Sequence, residues 1–181
     1  MTEPRLNRVQ CLGARGLHRM AYWEWGDAAN PRVLVCAHGL SRQGRDFDTL
    51  ARALCGHYRV VCPDVVGRGQ SDWLADPAGY QIPSSMADMV TLLARLDARE
   101  LHWVGTSMGG LIGLGLASLP GTPIGRLILN DVGPTSLSTS LPIGDCGSEA
   151  SPRPISPPIE VPTQGTVCAF RRASNVTMSA T

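Results

Sequence analysis

The stretch Leu101-His-Trp-Val-Gly-Thr-Ser-Met-Gly-Gly110 places a serine between an apolar run and a run of small and apolar residues. Leu101–Val104 predicts a strand, and Met108–Leu119 predicts a helix. A strand and a helix joined by Gly-x-Ser-x-Gly form a very tight turn that holds the serine hydroxyl clear of the sheet. Ser107 then lies at a helix N-terminus, where developing negative charge is favoured, and is the candidate nucleophile.

The glycines of this turn have a steric reason. Gly105 and Gly109 lie two residues on either side of the serine, so the backbone can approach its neighbours without Cβ clashes. The N–H of Met108, directly after the serine, can donate a hydrogen bond to a substrate oxyanion. The same turn therefore supplies both the nucleophile and one stabilising donor.

Two further loops follow apolar strands. His38-Gly39 comes after the buried run Arg32–Ala37, and such a loop can aim a second backbone N–H at the oxyanion. We expect His38 to order this loop by hydrogen bonds rather than to act in catalysis. The loop Asp64–Asp72 follows the strand Arg59–Cys62, and we expect Arg68 within it to bind loop carbonyls, with direct substrate contact as the alternative.

The order of elements predicts the fold class. A hairpin around Gly13–Gly16 precedes strands that alternate with helices, which implies right-handed crossovers and a parallel sheet. One helix is expected to open at the capping box Ser85-x-x-Asp88. The prediction is an α/β fold with a mixed, mostly parallel sheet and flanking helices, incomplete at its C-terminal end.

Composition separates two regions, 1–133 and 134–181. The first has eight of the nine aromatic residues, whereas Ser, Pro and Thr make up 21 of the last 48 residues. We predict a partial catalytic domain followed by a Ser/Pro/Thr-rich tail that is disordered or read out of frame, without strands or helices. The strand Arg126–Leu129 would then be a raw sheet edge, which favours aggregation.

Charge and hydropathy limit the function classes. The net charge is +1, which gives no electrostatic reason to expect nucleic acid or an anionic membrane as a partner. The polar start has no signal core, and Leu111–Leu119 is too short to span a bilayer, so we expect a cytoplasmic protein. Cys36 and Cys62 lie in strand-like runs and are expected to be reduced core thiols, and no metal-ligand spacing is found.

The motifs beginning at His38, Asp64, Gly105 and Leu129 together resemble the α/β-hydrolase superfamily, and in particular its bacterial esterase-like members, up to about residue 133. The resemblance implies that Ser107 is the nucleophile and that the N–H groups of Leu40 and Met108 form the oxyanion hole. It implies hydrolysis of a small-molecule ester or related acyl bond through an acyl-enzyme, without a metal or organic cofactor.

The triad partners do not follow the family's order, in which an acid and then a histidine come after the serine. All four histidines precede Ser107. Asp131 is expected to have a structural role, with the triad acid as the alternative by position; the other acidic residues after the serine are Asp145, Glu149 and Glu160. The chain on its own is therefore expected to be inactive.

Three interpretations remain open for such a chain. It is a truncated or frame-shifted hydrolase, a binding module that retains the pocket without turnover, or one half of a site completed by another chain. The abrupt change after Pro134 favours a frame change in the coding sequence. Substrate identity and oligomeric state cannot be predicted from these residues.

Overall fold

The computed structural model describes residues 3–132, together with the backbone of strands 167–171 and 178–180. Six strands and three α-helices lie in the first part. They are β1 (Arg5–Gly13), β2 (Gly16–Trp25), β3 (Val33–Ala37), α1 (Asp48–Leu54), β4 (Arg59–Pro63), α2 (Ile82–Leu96), β5 (Leu101–Thr106), α3 (Met108–Ala117) and β6 (Ile124–Asn130). Short 3-10 helices occupy Gly44–Phe47 and Pro77–Gly79.

One mixed sheet organises these elements in the order β1-β2-β4-β3-β5-β6. The central strands β4, β3, β5 and β6 are parallel, and the hairpin β1-β2 joins them antiparallel through β4. This confirms the predicted mixed sheet with flanking helices. The carboxyl ends of the four parallel strands meet at one sheet edge, which is where such folds place their ligand sites.

The sheet has a hydrophobic cluster on each face, and all five residues of the central strand β3 are apolar and buried. Val33 and Val35 face a cluster with Met89, Trp103 and Ile112. The alternate residues of β3 face a second cluster, which comprises Trp25, Leu34, Cys36, Ala51, Val60 and Cys62. Cys36 and Cys62 are buried free thiols, as predicted. Period-two alternation of a wholly apolar strand thus fills two layers at once.

The predicted capping box is wrong. Helix α2 begins at Ile82 with Pro83 in its first turn, and its N-cap Gln81 makes no side-chain cap hydrogen bond. Ser85 and Asp88 lie inside the helix and are buried. The physical reason is tertiary: the Asp88 carboxylate contacts His18 on β2 instead of a helix N–H.

The prediction that no strand follows Pro134 is also wrong. Strand β7 (Val167–Arg171) pairs antiparallel with β6, and β8 (Met178–Ala180) pairs antiparallel with β7. The β7 sequence Val-Cys-Ala-Phe-Arg includes β-branched and aromatic residues, which favour strands. The remainder of the predicted tail, including Asp145, Glu149 and Glu160, lies outside the described residues.

Candidate active site

Ser107 lies at the turn between β5 and α3, in a backbone conformation that non-glycine residues rarely adopt. Its φ and ψ angles are 49° and −113°. Its N–H donates to the carbonyl of Asn130 at 2.9 Å, and its carbonyl accepts the N–H of Gly110 at 2.9 Å. The neighbouring strand β6 and the first turn of α3 therefore hold the turn from both sides. Such a strained, over-determined turn is typical of a functional serine.

The two flanking glycines are required by close backbone approach. A Cβ atom on Gly105 would collide with the backbone of Gly109, and one on Gly109 would collide with the carbonyl of Ala37 on β3. The Gly109 carbonyl also accepts a hydrogen bond of 3.0 Å from the buried Trp103 indole. Helix α3 therefore sits directly against β3 and β5, as the glycine spacing predicts.

The loop after β3 lies beside the serine. A Cβ atom built on the buried Gly39 would be 3.6 Å from the Cβ of Ser107. The next residue, Leu40, is 64% exposed. Within residues 3–132, neither the N–H of Leu40 nor that of Met108 donates to an acceptor. Leu40 thus follows the loop glycine that lies beside Ser107, and Met108 follows Ser107 directly as the first residue of α3.

His38 orders this loop. Its Nδ1 donates to the Gly39 carbonyl at 2.7 Å, and its Nε2 accepts the N–H of Val65 at 3.0 Å. Both ring nitrogens are engaged, and burial lowers the pKa of His38, so the imidazole is held neutral. Through these two hydrogen bonds His38 links its own loop to the loop that begins at Asp64.

Arg68 fixes the same loop from the opposite side. Its Nε donates to the Leu40 carbonyl at 2.9 Å, and its Nη1 donates to the Val66 carbonyl at 2.8 Å. These are the loop carbonyls that the sequence analysis expects Arg68 to bind. Because the Leu40 carbonyl is held, the orientation of the Leu40 residue relative to Ser107 is restricted.

Asp64 ties three segments together, and the sequence analysis missed this role. The fully buried carboxylate accepts the N–H of Gly44 at 2.6 Å, the N–H of Gln70 at 2.8 Å and the indole N–H of Trp23 at 3.2 Å. A buried charge is stable only when it is hydrogen-bonded in this way. The position directly after a buried strand is the sequence signal that could have indicated it.

Asp131 follows β6 at the same sheet edge and is exposed, with φ at 56°. Its carboxylate has no hydrogen bond or ion pair within residues 3–132. The neighbouring Asn130 instead contacts the serine turn, through its carbonyl and through a 3.3 Å hydrogen bond from its side chain to Thr106. Asp131 is therefore close in sequence to the site without a described partner in it.

Of the other three histidines, two make side-chain contacts away from this turn and the third is exposed. His18 contacts Asp88, and His102 packs its ring 5.8 Å from that of Tyr58. Burial also lowers the pKa of His102. His57 is exposed after helix α1. The described residues thus place the loop glycine Gly39 beside Ser107, whereas none of these three histidines has a described side-chain contact with the serine turn.

None of the helices that the structure describes is both long enough and apolar enough to cross a membrane. The described site is formed by loops at the carboxyl edge of the sheet.

Comparison with known proteins agrees with this geometry. Residues 32–150 match the sequence profile of the alpha/beta hydrolase fold family. A 3-hydroxybutyrate-oligomer hydrolase of Cupriavidus necator is 70% identical over 132 residues, which cover 73% of this chain and 45% of that protein. An esterase of Mycobacterium tuberculosis is 31% identical over 134 residues, covering 74% of this chain and 41% of that protein.

Solved structures give the same result. An alpha/beta hydrolase from Novosphingobium aromaticivorans superposes with a TM-score of 0.64 at 37% identity, covering 76% of this chain and 49% of that one. The chain spans about half the length of the relatives it matches. The sequence profile, the relatives and the mixed sheet together lead to one conclusion: the chain belongs to the alpha/beta hydrolase fold family.

Proposed function

We propose that Ser107 is the nucleophile of a serine hydrolase that cleaves carboxylic esters. The observation that carries the proposal is the strained backbone of Ser107 beside Gly39, in the loop that follows the adjacent strand β3. A serine held in this way has its hydroxyl clear of the sheet and available for attack.

The reaction that we propose proceeds through an acyl-enzyme. The Ser107 hydroxyl oxygen attacks the ester carbonyl carbon while a base takes its proton, and the carbonyl electrons move to oxygen. The N–H groups of Leu40 and Met108 stabilise that oxyanion. Its collapse breaks the ester C–O bond and releases the alcohol, which takes up a proton. Water then attacks the acyl-enzyme and frees the acid and the serine.

For the substrate class, we propose oligoesters of a short hydroxy acid. The 70% identity over 132 residues to a 3-hydroxybutyrate-oligomer hydrolase supports this class over other esters. In such an oligomer the leaving group is the hydroxyl of the next unit, so one chemistry would serve every bond of the chain.

We also propose that these 181 residues do not turn over an ester by themselves. No histidine follows Ser107 in the sequence, and both ring nitrogens of His38 are engaged in hydrogen bonds. Without a base the serine hydroxyl stays protonated and attacks poorly. These observations favour, as the second candidate, a non-catalytic module that binds the ester and leaves it intact.

The test combines turnover with binding. The purified chain and its Ser107→Ala variant are incubated with the 3-hydroxybutyrate trimer, and release of monomer is followed by chromatography while calorimetry measures binding. We expect saturable binding in both proteins, with no release that depends on Ser107. Trimer cleavage abolished by Ser107→Ala would contradict the inactivity and establish the nucleophile. Absence of binding would contradict the substrate class.

A further inference from the structure

A cluster of three buried polar side chains lies outside the serine site. Cys11 on β1 and His18 on β2 are direct partners across the hairpin, so their side chains project from the same face. Helix α2 packs on β1 and brings Asp88 over this pair. Residues separated by 77 positions in the chain thus meet at one point.

The geometry of the cluster suits a metal ion. The Cys11 sulfur, a His18 ring nitrogen and an Asp88 carboxylate oxygen all lie within 4.8 Å of one another. His18 Nε2 is 3.0 Å from each Asp88 carboxylate oxygen. Sulfur, imidazole and carboxylate are the three ligand types that bind zinc in proteins.

The burial and the charge of these three side chains also suit a cation. Cys11 is fully buried, and His18 and Asp88 are 8% and 4% exposed. A divalent cation at this point would be neutralised by one thiolate and one carboxylate, with the imidazole as the third ligand.

An open cleft reaches the cluster. A cavity of about 740 Å³ lies between the hairpin tip and residues 72–88, and both His18 and Asp88 line it. The residues that line it do not include Ser107, Gly39 or Leu40, so the cleft is separate from the serine site. It gives a cation an entry path and leaves room for water as a fourth ligand.

We propose that Cys11, His18 and Asp88 form a binding site for Zn²⁺, completed by a water molecule from the cleft. On binding, the Cys11 S–H bond breaks, a Zn–S bond forms, and the proton passes to solvent. The bound ion crosslinks the hairpin to helix α2, because the ligands come from both. The proposal does not depend on the esterase activity.

The experiment uses the whole 181-residue chain, stripped of metal with a chelator and then dialysed free of it. Zn²⁺ is titrated by calorimetry, and Co²⁺ is titrated while the thiolate-to-cobalt charge-transfer absorption is recorded. The variants are Cys11→Ala and Asp88→Asn, and the matched control is Cys55→Ala, which removes a thiol elsewhere. Far-UV circular dichroism without metal checks that each variant folds.

We expect one Zn²⁺ per chain, a cobalt–thiolate band, and a higher melting temperature with Zn²⁺. In Cys11→Ala and Asp88→Asn the affinity should fall at least tenfold, and the band should disappear in Cys11→Ala while remaining in Cys55→Ala. Absence of saturable binding or of the band in the unmodified chain would overturn the proposal, even if a variant fails to fold. Equal affinity in a folded Cys11→Ala variant would overturn it as well.

Discussion

Ser107 has a strained backbone conformation that the surrounding strands and helix hold in place. Its φ of 49° disfavours any side chain with a Cβ atom, whereas glycine adopts it freely. Strain of this kind costs about 1–3 kcal/mol, and glycine's greater freedom in the unfolded chain offsets about 0.5–1 kcal/mol. We therefore expect Ser107→Gly to be about 1 kcal/mol more stable than Ser107→Ala in urea unfolding. If Ser107→Gly were no more stable than Ser107→Ala, the backbone at this turn would not be strained.

His38 makes stability depend on pH. Burial lowers its pKa below the ordinary value of 6.5, so the unfolded chain binds a proton at a higher pH than the folded chain. Stability is then complete above about pH 6.5 and falls as the pH drops towards the folded pKa. The slope is limited to about 1.4 kcal/mol per pH unit for one proton. We expect the free energy of unfolding to decline below pH 6.5 in chemical denaturation.

The matched variants for this prediction are His38→Gln and His57→Gln. A glutamine at 38 can still accept a hydrogen bond but does not titrate, so the pH slope should become shallower even if stability falls overall. His57 is exposed, and its replacement should leave the slope unchanged. An unchanged slope in His38→Gln would exclude His38 as the source.

At the scale of secondary-structure elements, the close contact of α3 with β3 requires glycine at position 109. A Cβ atom on Gly109 would meet the Ala37 carbonyl, which belongs to a strand and cannot move aside. Alanine favours helices over glycine by about 1 kcal/mol, yet overpacking costs about 1–3 kcal/mol or more. We expect Gly109→Ala to destabilise the chain by about 2 kcal/mol, measured by urea unfolding. Gly56→Ala is the control, because a Cβ atom there contacts nothing within 4 Å.

The strands and helices could be predicted where the pattern of apolar residues matches the burial of the element. The run at Val33–Ala37 is apolar throughout because both faces are covered, and α3 follows its strand directly. The start of α2 could not be predicted, because Ser85 and Asp88 satisfy a local capping pattern but are used in tertiary contacts. Local rules fail where a side chain finds a stronger distant partner.

The candidate site divides in the same way. Ser107 and its glycines form a continuous motif whose geometry is local, and the motif gave the position of the turn directly. The cluster of Cys11, His18 and Asp88 was missed because its members are far apart in sequence. The hairpin register places Cys11 opposite His18, but Asp88 reaches them only through the packing of α2 against the hairpin.

For the whole molecule, the sheet edge next to β6 was predicted to be bare. The structure instead pairs β6 with β7 over Arg126–Asn130, and β7 with β8 beyond it. Antiparallel pairing satisfies backbone groups that would otherwise be a template for association between chains. The pairing therefore covers the edge of β6 and leaves β8 as the outer strand of the sheet.

The backbone of β7 offers a direct test of this role. Ala169 is paired with Ile128 of β6 on one side and with Ser179 of β8 on the other. Its N–H therefore points at a neighbouring strand whichever side of β7 it is on. Proline at this position removes the N–H and does not fit a central strand. We expect Ala169→Pro to accelerate hydrogen exchange of the β6 amides and to increase self-association in sedimentation velocity. Ala169→Val keeps the N–H and favours a strand, so it should behave like the unmodified chain. Unchanged β6 exchange in Ala169→Pro would mean that β7 does not protect the edge in solution.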